Sequence, residues 1–237
     1  MSAIPDHDRR IAAALCGATA AAAYRDPNGT DPARDMLTVA ESIAECSGLD
    51  LDDLRQRQLS SATTGAGLLL RALPFGLATP FDRPRLRRDA YRCAAAAGAD
   101  EGTALVCVAA AVVAADVLRF DPVTTAIRVR QSLLEDAPMA LLNRLTILGP
   151  ESEIVDGDDA GAALQVALSV LEWTACAGVA ATLARLGEAG RGDTGTLAAA
   201  LAGAACGVCD VPVDEAVAER AGRAGAALAS LAEGAVL

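Results

Sequence analysis

Two short runs concentrate the oxygen donors of this chain: Thr30-Asp31, and Asp193-Thr194-Gly195-Thr196 just after Gly192. The second leads into an apolar run of Ala, Leu, Gly and Cys that reads as a helix. Asp193 or Thr194 can accept from the unpaired N–H groups of that helix's first turn. Their oxygens then stand at the end of a buried helix, where a hard cation or a polar ligand can be held. Asp31 precedes Pro32, a strong helix start, because proline lacks an N–H that would have no partner there anyway. Asp31 and Asp193 are the candidate catalytic carboxylates. Thr30, Gly67, Thr194 and Thr196 join them as candidate ligand-binding residues.

Other chemistry is poorly provided for. His7 is the single histidine and stands near the terminus, where a catalytic role is not expected, so no Ser-His-Asp or Cys-His set can be assembled. The seven cysteines are scattered through apolar runs without a disulfide framework, which reads as reduced thiols in a cytoplasmic protein. Cys206-Gly207-Val208-Cys209 is a lone CxxC on a helix, read as packing. The acidic loop 149–159 lacks the glutamate that closes an EF-hand loop and reads as solvated.

Four segments in order resemble the motifs of the ADP-ribosylglycohydrolase family. Gly192-Asp193-Thr194-Gly195-Thr196, closed by Val211-Pro212, resembles its C-terminal Gly-Asp-Thr-Asp-Thr turn, with Gly195 in place of the second aspartate. Thr30-Asp31-Pro32-Ala33, followed by Ala40-Glu41-Ser42, resembles its Thr-Asp-Asp-Thr helix start. Gly65, Gly67, Arg71, Pro74, Gly76 and Leu77 fit its Gly-Asn-Gly-Ser-x-Met-Arg-x-x-Pro-x-Gly-Leu segment, with Ala66 and Leu68 at the polar positions. Arg10-Ile11, Leu15 and Gly17 fit its opening helix, but Ala21-Ala22-Ala23 stand where Gly-Asp-Ala would. The resemblance implies a cleft that in the family holds two magnesium ions and positions ADP-ribose for glycosidic cleavage. Here Ala22, Pro32 and Gly195 each replace an aspartate, so a dinuclear metal site and its cofactor ions are not expected.

The elements that must position these residues are helical. Hydrophobic content is 53% and aromatics only 3%, with abundant alanine, which favours helices over strands. We expect one all-α orthogonal bundle over residues 1–237, with helices at 11–23, 49–59, 82–96, 101–118 and 213–237, one or two within 121–148, and a helix or helix pair over 160–185. Ile11 to Ala23 is small on nearly every face and should be central. Gly65 to Leu77 reads as a tight backbone passage between helices. The basic face of 82–96 reads as solvated. A net charge of −11 argues against nucleic acid or an anionic membrane as partner, and no apolar stretch reads as a clean bilayer span.

Three functions stay open. One is a pseudoenzyme that keeps the bundle and binds a nucleotide-like small molecule, or a protein partner, through the ancestral cleft. Another is a repurposed, metal-independent enzyme acting on a small molecule in a pocket made apolar by Ala22, Pro32, Ala66 and Leu68. The last is an ADP-ribosyl glycoside hydrolase using a single metal.

Overall fold

The computed structural model describes residues 6–22, 31–59, 65–121, 124–133, 139–144, 159–174, 177–187 and 192–234. Every regular element among them is an α-helix: α1 (His7–Ala22), α2 (Pro32–Cys46), α3 (Leu51–Gln56), α4 (Gly65–Ala78), α5 (Arg83–Ala96), α6 (Glu101–Arg119), α7 (Thr125–Leu133), α8 (Met139–Arg144), α9 (Ala160–Trp173), α10 (Val179–Leu186), α11 (Asp193–Cys206) and α12 (Glu215–Gly234). Aspartates start most of the long ones. Asp31, Asp82, Asp100 and Asp159 each accept from backbone N–H groups two or three residues on, satisfying donors that the first turn leaves over.

The core is built on close backbone approach more than on large side chains. A Cβ at Gly17 would lie 2.5 Å from the Ala199 carbonyl oxygen, and one at Gly203 would lie 2.1 Å from that of Ala13. The pairings 17 with 199 and 13 with 203 make α1 and α11 antiparallel, and the same register sets Ala21 level with Gly195. The end of α1 and the start of α11 therefore share one end of the bundle. α12 lies along α1 through Gly225, which meets the backbone of Asp8 and Ala12. α6 is buried from Val106 to Leu118 without a break, and Gly76 of α4 lies against its Ala111 carbonyl. A helix buried on all sides is a core helix. By length and hydropathy α6 alone among the described helices could cross a membrane, which corrects the expectation that no stretch qualifies. Within the fold, 78% of that apolar window is buried.

Arg10 ties two helix ends together. Its Nη1 donates to Leu118 O at 2.6 Å, Nη2 to Val117 O and Ala205 O, and Nε to Ala204 O at 2.7 Å. These are last-turn carbonyls of α6 and α11, which have no intrahelical donor, and the positive charge meets both negative helix ends.

Several sequence expectations are corrected. Residues 65–78 form the buried helix α4, with Pro74 inside it, because Leu69, Leu70, Leu73 and Leu77 bury against the core. His7 is 3% exposed as the first residue of α1, and burial lowers its pKa. The basic face of α5 is partly engaged: Arg83 pairs with buried Asp116 of α6, and Arg85 donates to Ser47 O. Beside that pair the Arg119 guanidinium lies 5.0 Å from the Phe81 ring and 4.8 Å from the Phe120 ring, clasping the turn before α5 to the end of α6. Of the two readings of 160–185, one helix or a pair, the pair is found, as α9 and α10. Thr30 and loop positions 149–158 lie outside the described residues.

Candidate functional site

A cleft of about 400 Å³ opens where α1 ends and where α2 and α12 begin. Thr19, Ala20, Ala22, Leu37, Pro212, Val213 and Val217 form its wall, and Asp31, Arg34, Asp214 and Arg220 supply its charge. This is the size and mixture expected of a small-molecule site: an apolar body with few polar groups.

Its charged residues are held by helix starts. Asp31 is the N-cap of α2, its Oδ1 accepting from Arg34 N at 3.0 Å, as the Asp-Pro pair predicts. Asp214 does the same for α12, accepting from Ala216 N at 3.0 Å and Val217 N at 3.4 Å. Arg220 is fixed by a two-pronged pair to Glu41, both contacts at 2.9 Å. Arg34 forms no ion pair among the described residues and is exposed. It is the guanidinium in the cleft that remains open to a ligand.

The segment between α11 and α12 brings Pro212 to Asp214 to this cleft. Gly207 closes α11 with a left-handed backbone, φ 69°, and the chain then runs back beside α1. It is pinned midway by Asp210, whose Oδ1 accepts from Ala180 N at 2.9 Å and so caps α10 from a distance. Gly178, the N-cap of α10, brings no side chain of its own. With φ 96°, and a would-be Cβ 2.5 Å from Asp210 Oδ2, it makes room for that carboxylate.

The expected site residues divide into two groups. Asp31 and Ala22 line the cleft together. Asp193, Thr194 and Thr196 lie in the first turn of α11, at the same end of the bundle but buried and outside the cleft lining. The N-cap of α11 is Gly192, so Asp193 sits one position inside the helix, where its charge still favours the positive helix end. The Thr196 hydroxyl is turned back to Gly192 O at 3.3 Å. Gly67 is buried inside α4, and Pro32, Ala66 and Leu68 are not part of the cleft wall. Arg34, Asp214 and Arg220 escaped the sequence reading. The first is one turn after a recognised cap, and the second stands directly before Glu215, the first residue of α12, as a capping aspartate would, a signal that was there to use.

The donors among the described residues do not fit a pair of magnesium ions. Among the described residues no three His, Cys, Asp or Glu side chains gather, and the cleft carries two carboxylates, each already capping a helix. Two hard dications need several anionic or carbonyl oxygens apiece. Three of the described cysteines are equally unsuited to chemistry. Burial pushes Cys16 and Cys93 up to about 11 and Cys107 up to about 12, so they stay protonated at neutral pH. Cys209 lies beyond the end of α11, which corrects the placement of the CxxC pair on one helix. No protein-family model matches the chain, and no curated protein matches it.

Proposed function

We propose that this protein is a degenerate, ADP-ribosylglycohydrolase-like helical protein that binds a nucleotide-like small molecule in the cleft at the end of α1, without a dinuclear metal site. The supporting observation is that Ala22 and Asp31 line one cavity. These are the positions that the family resemblance assigns to its active-site aspartate and to its Thr-Asp motif. The same cleft has lost acidic groups and keeps Arg34 as an open cation, a change that favours holding an anionic ligand directly over holding it through metal.

Thermal melts test this. A ligand bound only to the folded state raises the melting temperature. ADP-ribose with a chelator should raise it, and Mg²⁺ should add nothing. A rise that requires Mg²⁺, together with release of ADP-ribose from modified arginine or serine, would restore the single-metal hydrolase.

The apolar wall of Ala20, Leu37, Val213 and Val217 favours a second reading, a metal-independent enzyme acting on a less charged molecule. Under it, ADP-ribose leaves the melt unchanged.

A further inference from the structure

The polar side chains of the cleft differ in what they still have to offer a ligand. Thr19 of α1 donates its hydroxyl proton to Leu15 O at 3.1 Å and Cys16 O at 2.9 Å. That single proton is committed, so the Thr19 oxygen can only accept. Asp31 and Asp214 use Oδ1 alone to cap α2 and α12, and neither Oδ2 has a partner among the described residues. An ionised carboxylate is likewise an acceptor only. On the donor side Arg220 is neutralised by Glu41, while Arg34 forms no ion pair among the described residues.

That balance selects the ligand. An anion alone, such as inorganic pyrophosphate, brings only acceptors and sets its charge against two carboxylates for one open guanidinium. A ligand with hydroxyl donors beside its anionic group satisfies both halves of the lining. The three acceptors stand on three separate elements, the helix α1 and the caps of α2 and α12, which several hydroxyls on one ring suit better than a single ammonium. We infer that Asp31 and Asp214, with Thr19, recognise the sugar of a ribose phosphate, accepting from its hydroxyls while Arg34 holds the phosphate. In the nucleotide-like reading on which this rests, the carboxylates act on the sugar directly, without a bridging metal. Both are fixed as helix caps before the ligand arrives, so little ordering is needed on binding.

Asparagine caps a helix about as well as aspartate but turns the free oxygen into an N–H donor. Asp31→Asn and Asp214→Asn should therefore keep the melting temperature of the free protein. In calorimetry with a chelator present, each should bind ADP-ribose at least about tenfold more weakly, the scale of one hydrogen bond to a charged group. Pyrophosphate should respond the other way, binding the variants as tightly as the unmodified chain or more tightly, because a repelling charge is gone. Arg34→Ala should weaken both ligands. ADP-ribose binding left unchanged by both asparagine variants, or pyrophosphate weakened as much as ADP-ribose, would overturn the inference and leave the cleft reading in place. Tighter binding of phosphoethanolamine than of ribose 5-phosphate would also overturn it, by making the recognised donor an amine. Absence of any ADP-ribose binding to the unmodified chain would overturn both readings together.

Discussion

The Arg71 guanidinium and the Asp35 carboxylate meet at 2.6 Å with 6% and 5% of their side chains exposed, which joins α4 to α2 by a charge pair inside the core. Such a pair is costly to form and more costly to break, because the survivor is left buried without its countercharge. Arg71→Ala should therefore destabilise the fold by about 3–5 kcal/mol. The joint change Arg71→Met with Asp35→Leu should cost far less than the single one. Denaturant melts of both variants check this, and equal losses would mean that packing volume, not charge, is what matters at the pair.

Small-residue contacts carry the α1–α11 seam, so glycines should differ sharply by position. Gly203→Ala would set a methyl 2.1 Å from Ala13 O, in a place where only backbone can yield. A loss of about 1–3 kcal/mol is expected, as for overpacking. Gly222→Ala, on the exposed face of α12 with nothing within 4 Å, should instead gain about 0.5–1 kcal/mol from lower chain entropy. Chemical denaturation of the two variants side by side reads out the contrast.

His7 adds a pH dependence. Burial, aided by the nearby positive charge of Arg10, holds its folded-state pKa below the ordinary 6.5, against an opposing backbone hydrogen bond involving Leu77 and the negative charges of Glu233 and Asp8. The neutral form is favoured by folding. Its contribution to stability is complete above pH 6.5 and is lost as pH falls through the lower folded pKa. His7→Phe should flatten the stability profile between pH 6.5 and the onset of carboxylate titration, in urea melts repeated across that range. An unchanged slope would place the histidine in contact with water.

Helix starts and composition were legible, but tertiary partners were not. The Asp31-Pro32 pair marked the start of α2, and the all-small character of α1 marked it as central, since both are local properties of a few residues. α4 was hidden because Gly65, Gly67, Pro74 and Gly76 are the usual punctuation of loops. Only contact with α6 shows that Gly76 is there to admit the Ala111 carbonyl. The arginines of α5 looked like a solvated stripe for the same reason: Asp116, the partner of Arg83, lies in another helix, 33 residues away. Half the cleft was visible through Asp31 and Ala22. The half formed by α12 and the chain before it depended on a long return of backbone along α1, which no local pattern announces.

Arg34 is the residue on which ligand selectivity of the cleft should turn. Because it is exposed and forms no ion pair among the described residues, Arg34→Ala should leave the melting temperature of the free protein unchanged. It should weaken an anionic ligand at least about tenfold, the scale of one charge-assisted contact. Fluorescence or calorimetric titration of the variant with ADP-ribose measures this. Affinity equal to that of the unmodified protein would move the ligand away from the guanidinium.

The most direct measurement of the central claim is calorimetric titration of ADP-ribose into the protein, once in chelator and once in Mg²⁺, with Mg²⁺ alone as the third arm. Binding of one ADP-ribose per chain with the same affinity in both buffers, and no heat from Mg²⁺ alone, is the result expected of a metal-independent binding cleft. Two tightly bound Mg²⁺ per chain, or ADP-ribose binding that appears only with Mg²⁺, would contradict it.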